Sequence, residues 1–382
     1  MGGSQSSQMP TSRPISSKSA TSHSKTVPSA MNSNEYSSTC SQPTSPAQDP
    51  HSYTDGRWLH QDELQRRLRY LQIDFPLLCE TAIKVCNGAS KAADYVKKEG
   101  GYTRAFILTM ETGKRVVARI PPPVAGPPRL TTNSEVATIT YLQSKTSLPI
   151  FKILAWNADP SNPVGIEYII QEHADGCTKN LSNKIKEMAA LDSPVYGNIY
   201  FSGAPIEEDK NIPLEDGFII GPYCSPLYWN CGAGDAEIYN SRNSNRGPWR
   251  NVAEYTSGLI DTALSRLPNE QTASADRLPF RGAIQDHVHL INACRETMQV
   301  IIKGERVQAS APPTLIHPDY RKRNIYVSPD DPTQVTALID WQLACAEPGF
   351  IYAHNAPDFA ALPDVNPAED KDEAKQPLSA EE

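Results

Sequence analysis

Residues 315–327 read LIHPDYRKRNIYV, and residues 335–342 read VTALIDWQ. Together they put Asp319 five residues before Asn324, and Asp340 sixteen residues after it. That spacing is the layout of a catalytic loop for phosphoryl transfer, followed by a metal-binding aspartate. The chemistry asks for few protein groups: one carboxylate to orient an attacking hydroxyl, then an amide and a second carboxylate to hold Mg²⁺ on nucleotide phosphates. Short apolar runs flank the loop, Ile325 to Val327 and Val335 to Ile339, and both read as buried strands. Between them SPDDPT, residues 328–333, is turn-rich. The reading is therefore loop, hairpin, aspartate. Strands that return on each other bring Asn324 and Asp340 to one divalent ion, with Asp319 beside them as the catalytic aspartate. His317 reads as a packing residue that hydrogen-bonds under the loop, and Tyr320, Arg321, Lys322 and Arg323 make the loop basic or reach phosphate.

Upstream, residues beyond Gly176 read as helical. Leu181, Ile185 and Met188 share a face, as do Val252, Leu259, Ala263 and Leu267, and again Val288, Ile291, Met298 and Ile302. Residues 195–248, rich in Gly, Asn, Pro and Tyr, read as a long loop. Before Gly176 the character changes. VKKEGGYTRAFILTMETGKRVVARI, residues 96–120, reads as strand, glycine turn, strand, turn, strand. TTNSEVATITYL, residues 131–142, reads as a helix capped by its Thr and Asn residues. IFKILAW and GIEYIIQEH, ending at Trp156 and His173, add two apolar strands, and leucine spacing over residues 58–87 predicts helix. The sum is an α+β chain. N-terminal helices (51–90) precede a small, mainly antiparallel sheet with one helix (91–175), then a mainly helical region with the catalytic loop (176–362).

The sheet region carries candidate nucleotide contacts. Gly100 and Gly101 sit between two strands, where backbone N–H groups can approach a triphosphate. Arg119 ends the strand VVAR where a V-A-I-K strand would present a nucleotide-pairing lysine, and its guanidinium offers a fork of donors. Glu135, early in the helix, is its candidate partner. Gln171, Glu172 and His173 lie where two lobes would join, in reach of an adenine edge.

Composition narrows the alternatives. The net charge of −8 argues against nucleic acid as a partner, because phosphate neutralisation needs a basic face. No apolar run approaches the roughly 20 residues of a membrane span. Eight cysteines without a CxxC pair read as reduced thiols of an intracellular protein. Residues 1–50 are Ser-, Thr- and Pro-rich and read as disordered. Their first acid is Glu35, which suits a mitochondrial transit peptide, with a cytoplasmic protein bearing a plain tail as the alternative. Met1-Gly2 with Ser6 also fits a short myristoylation pattern. Residues 363–382 read as a solvated acidic tail.

Taken together, HPDYRKRNIYV, IDWQ, EGGYTRAFIL, GKRVVARIP and GPPRLTTNSEVATITYL resemble the fungal aminoglycoside-phosphotransferase-like family over residues 51–360. The likeness is greatest to the group called altered inheritance of mitochondria protein nine. It implies a bilobal protein-kinase-like fold, use of ATP and Mg²⁺, a mitochondrial setting, and phosphoryl transfer to a small hydroxyl-bearing molecule that the likeness does not name. By the same likeness Asp319 is the catalytic aspartate, Asn324 and Asp340 are metal ligands, Arg119 takes the lysine position and Glu135 is its partner. Two departures stand out. The passage after Gly176, CTKNLSNKIKEM, is short for the family, and the chain ends soon after IDWQ, so the second lobe is expected to be truncated and to expose apolar surface. Arg119 and the short end keep open a catalytically inactive, nucleotide-binding pseudokinase. A protein kinase is a further alternative, against which stand the missing Gly-x-Gly-x-x-Gly loop and Ala-Pro-Glu segment.

Overall fold

Alternation in RAFILTM and RVVARI sets the centre of a sheet. This is seen in a computed structural model that describes residues 48–173, 181–215, 217–235, 239, 244–268, 282–331, 334–354 and 357–358. The expected leader and acidic tail lie outside the described residues. Two strands, β1 (Ala92–Glu99) and β2 (Arg104–Met110), pair antiparallel across the Gly100–Thr103 turn. β2 buries Phe106, Leu108 and Met110 on one face and turns Ala105, Ile107 and Thr109 to the other. With β3 (Arg115–Ile120), β4 (Ile153–Asn157) and β5 (Tyr168–Glu172) the order is β1-β2-β3-β5-β4, antiparallel throughout.

The leucine-rich stretch before the sheet divides into two helices, α1 (Asp62–Leu68) and α2 (Phe75–Val85). Asp74 caps α2 by accepting from the Leu77 N–H at 2.9 Å, and Pro76 stands in its first turn, so the chain breaks between them. Phe75, Leu78 and Ala82 of α2 cluster with Tyr95, Phe106 and Leu108 of the sheet.

α3 (Leu130–Lys145) is buried on nearly every side of its first three turns, polar residues included. The expected Thr and Asn caps lie inside it. Its N-cap is Arg129, at φ 67°, whose N–H donates to the Glu167 carboxylate at 2.6 Å. Thr131 instead donates to the Pro127 carbonyl, and Asn133 accepts from the Phe201 N–H at 3.2 Å. A local carbonyl thus claims Thr131, and a long-range N–H claims Asn133, although both look like caps in the sequence.

The second lobe mixes helices with short antiparallel sheets. After α4 (Leu181–Ala189), residues read as a loop form a three-stranded sheet: β6 (Asn198–Phe201), β7 (Ile212–Glu215) and β8 (Phe218–Gly221), in the order β6-β8-β7. Four-residue strands between Gly- and Pro-rich turns are too short to show a period. α5 (Val252–Ser265) buries Val252, Tyr255, Gly258 and Ile260 but leaves Leu259 exposed, so the apolar face read from the sequence is rotated. α6 (Ile284–Ile301) buries none of its residues and exposes Leu290, Met298 and Val300. α7 (Glu305–Ala309) leads to β9 (Pro313–Leu315), which pairs with β12 (Ala346–Pro348). Between them β10 (Ile325–Val327) and β11 (Val335–Leu338) form the expected hairpin, with Ile325 opposite Leu338. The architecture is α+β, with the hairpin facing the five-stranded sheet across one cavity. Among the described residues no helix is long and apolar enough to cross a membrane.

Candidate functional site

The period of two along β2 and β3 builds one wall of a cleft. Ala105 pairs with Arg119 and Ile107 with Val117, so these four side chains share the sheet face opposite the Phe106 core. They line a cavity of about 280 Å³ together with Gly100, Gln171 and His173. Asn324, Tyr326, Ile339 and Asp340 close it from the hairpin side.

Arg119 joins the elements around this cavity. Its guanidinium forms an ion pair with Glu135 of α3 and lies 3.4 Å from the Asp340 carboxylate. The Arg119 and Glu135 side chains are 11% and 7% exposed. Burial alone opposes the charge, but Glu135 and then Asp340 outweigh it and raise the Arg119 pKa. The residue stays a cation.

The catalytic-loop residues are tied to each other by hydrogen bonds. The His317 Nδ1 accepts from the Asp319 N–H at 3.1 Å. The neutral ring therefore carries its proton on Nε2, which donates to the Ile339 carbonyl at 2.8 Å. Trp341 packs edge-on at 4.6 Å, and burial lowers the His317 pKa, keeping the ring neutral. The Ile339 N–H donates to the Asn324 carbonyl at 3.0 Å. The Asn324 amide donates to both the carbonyl and the carboxylate of Asp319 at 2.7 Å, which leaves its own amide oxygen as the acceptor atom. Arg323 and Arg321 approach the Asp319 carboxylate to 2.7 and 3.2 Å. Burial would raise the Asp319 pKa, but hydrogen bonds from Arg323 and Asn324 lower it on balance. Asp340 sits at φ 71°, a left-handed backbone conformation that costs a non-glycine residue of order 1–3 kcal/mol and gathers at functional sites.

Six of the residues singled out in the sequence line this single cavity: Gly100, Arg119, Gln171, His173, Asn324 and Asp340. Glu135 stands behind Arg119. Asp319 is outside the lining and reaches it through Asn324. Gly101 and Glu172 are also outside; Gly101 instead presents its carbonyl to the Arg69 Nε at 3.2 Å, and Glu172 faces a neighbouring cavity. Neither Gly100 nor Gly101 has a left-handed backbone, so the turn does not require glycine for its conformation. Sequence reasoning missed Ala105, Ile107 and Val117, which counting by two from Arg119 and across the first turn would have found. It also missed Thr103, whose hydroxyl donates to the Gln342 side chain at 2.5 Å and ties the glycine turn to the segment after Asp340.

Among the described residues, no three His, Cys, Asp or Glu side chains gather to hold a metal by themselves. Asn324 and Asp340 offer an amide oxygen and a carboxylate on one cleft. That donor set suits Mg²⁺, which takes one or two protein oxygens and completes its shell with water and substrate phosphates.

Residues 242–348 match the phosphotransferase enzyme family, APH. This matched stretch includes Asp319, Asn324 and Asp340. The chain is similar to a subtelomeric hrmA-associated cluster protein of Aspergillus fumigatus, 28% identical over 67% of this chain and 58% of that protein. It is also similar to altered inheritance of mitochondria protein 9, mitochondrial, of Saccharomyces cerevisiae, 23% identical over 69% of this chain and 49% of the yeast protein. The chain thus spans about half the length of the curated relatives it matches. Among solved structures, a candidate fructosamine-3-kinase of Thermobifida fusca aligns at TM-score 0.40 and 12% identity, over 73% of this chain and 80% of that one. The likeness read from the catalytic-loop and sheet segments is met by these relatives.

Proposed function

We propose that the chain is an ATP- and Mg²⁺-dependent phosphotransferase acting on a hydroxyl group of a small molecule. The observation that carries the reading is the gathering of Arg119, Asn324 and Asp340 around one cleft, with Asp319 hydrogen-bonded to Asn324. Asp340 and Asn324 hold Mg²⁺, which when bound neutralises charge on the nucleotide phosphates. Arg119, oriented by Glu135, takes a phosphate oxygen. Asp319 orients the acceptor hydroxyl and receives its proton. A bond forms between the acceptor oxygen and the γ-phosphorus, the bond to the bridging oxygen breaks, and ADP leaves. A mitochondrial setting is part of the proposal, supported by the likeness to the yeast mitochondrial protein.

A second reading has its own support. Arg119 is already paired with Glu135 and near Asp340, and Asp319 is held by two arginines. A pseudokinase that binds nucleotide without turnover would also be built this way. Thermal unfolding with Mg·ATP separates the possibilities. Ligand at a hundred times its Kd stabilises by about 2.7 kcal/mol through mass action. Wild type should show that upward shift and Asp340→Ala should lose most of it. An equal shift in both would remove the site from consideration. Release of γ-phosphate, or its transfer to polyol and sugar acceptors, should then fall by at least about a hundredfold in Asp319→Asn. Nucleotide binding with no turnover in either protein would establish the pseudokinase.

A further inference from the structure

A second cavity, of about 520 Å³, opens between the start of α3 and the β6–β8 sheet. It shares no lining residue with the cleft described above. Among the described residues, Arg129, Lys210 and Arg246 line it against one acid, Glu207, in a chain of net charge −8. Arg246 is held ready for an anion. Its guanidinium lies over the Trp229 ring at 3.8 Å, and its Nε donates to the Tyr228 carbonyl at 2.9 Å. Trp229 is fixed in turn, its ring N–H donating to the Tyr223 carbonyl at 2.6 Å. The fork is therefore oriented before any ligand arrives, and its two terminal nitrogens make no hydrogen bond among the described residues. The Lys210 ammonium has no ion pair among them either. Arg129 contributes less, since it lies 3.4 Å from Asp159 and both are about half exposed. The helix end supplies no donor through the Arg129 N–H, which Glu167 occupies. Leu130 and Pro222 give the cavity an apolar wall.

We propose that this cavity is a binding site for a small molecule carrying a phosphate or carboxylate on a flat apolar body. Arg246 and Lys210 take the anionic oxygens, and the body lies against Leu130 and Pro222. A stacked, anchored guanidinium loses little freedom on binding and offers paired donors that match either group. Calorimetric titration of the full chain with phenyl phosphate and with benzoate, and with benzyl alcohol as the neutral control, tests this and shows which anionic group is preferred. At least one anion should bind, and benzyl alcohol should bind at least about tenfold more weakly. Arg246→Gln or Lys210→Gln should weaken the anion by about tenfold. Lys210 is partly exposed and its ammonium makes no hydrogen bond or ion pair among the described residues, so Lys210→Gln remains informative if the arginine variant fails to fold. Asp340→Ala should leave the affinity unchanged. The proposal falls if neither anion binds, if binding is unchanged in both cavity variants, or if Asp340→Ala abolishes it and so places the probe in the cleft.

Discussion

Glu135 decides how Arg119 behaves. Without it the buried guanidinium keeps, among the described residues, Asp340 as its ion-pair partner, at 3.4 Å. Glu135→Gln should therefore cost about 1.5–3 kcal/mol, the range for a hydrogen bond to a charged group, measured by urea denaturation. It should also reduce stabilisation by Mg·ATP, because Arg119 is then drawn to the carboxylate that the metal needs. His317 gives a pH dependence of known sign. Its folded pKa is lowered, chiefly by burial, and protonating Nδ1 would set it against the Asp319 N–H. The unfolded chain then takes the proton first. The contribution of the neutral ring is complete above about pH 7 and is lost as pH falls below the ordinary value of 6.5 toward the folded one. Unfolding free energies measured with EDTA between pH 7 and pH 5 should slope downward in wild type, and the slope should flatten in His317→Gln. Asp319, with a lowered pKa, keeps its contribution above the ordinary 3.8 and loses it as pH falls further toward its folded value, so its loss begins at lower pH than that of His317. Most of this chemistry was legible in the sequence because side-chain type and spacing state it directly. The arginines on Asp319 were present as a basic run, but only geometry shows that Arg323 and Arg321 turn back onto the carboxylate.

Elements were readable where the period was long enough. β2 and β3 run for seven and six residues and show their alternation plainly, whereas β6, β7 and β8 have four residues each and do not. α3 was placed, but its start was misread, since Thr131 bonds to the Pro127 carbonyl and Asn133 accepts from the distant Phe201 N–H while Arg129 is the N-cap. α5 was placed correctly but turned wrongly, for a reason that can be tested. Gly258 packs against the buried Trp249 ring, so the helix approaches on a face that a search for large apolar residues passes over. A Cβ at Gly258 would fall 2.5 Å from the indole nitrogen. Trp249 is wedged among Tyr223, Tyr228 and Tyr255 and has little room to give. Overpacking of this kind costs about 1–3 kcal/mol, against the roughly 1 kcal/mol that alanine gains over glycine in a helix interior. Gly258→Ala should thus be neutral to destabilising by up to about 2 kcal/mol in chemical denaturation, where an open helix position would give a gain. Gly101→Ala is the contrast. Its Cβ would meet no heavy atom within 4 Å. Stability should stay within about 0.5 kcal/mol of wild type, and a fall in Mg·ATP affinity alone would show that the turn needs close approach to phosphate.

At the scale of the molecule, the segment before α1 is bound to the glycine turn by buried charge, which no periodicity announces. Arg104, inside β2, donates to the carbonyls of Pro50, His51 and Arg69 at 2.8–3.0 Å and lies 2.9 Å from Glu99. Glu99 accepts from the Thr54 and Asp55 N–H groups at 2.8 and 3.0 Å, and Lys97 donates to the carbonyls of Asp49 and Ser52. Residues 49–55 are therefore strapped across the strand ends that carry Gly100, one wall of the cleft. The sequence boundary near residue 50 gives no sign of what residues 49–55 hold. Removing the central cation should release the strap and leave Glu99 with Lys97 alone. Arg104→Met removes the donor to the Pro50 and Arg69 carbonyls, while the His51 carbonyl keeps the Leu71 N–H, and it breaks a buried pair, which costs about 3–5 kcal/mol. Limited proteolysis should then cut within residues 49–56 well before the wild-type chain is cut there. Thr54→Val keeps the charges and removes one hydroxyl donor to Glu99, so it should open the same segment by a smaller step and stay folded. The two variants should rank in that order for protease sensitivity and for loss of Mg·ATP stabilisation alike. If the segment opened in both while nucleotide stabilisation held at the wild-type value, the strap would serve only the stability of the sheet, and the glycine turn would keep its place through Thr103 and Gln342 instead.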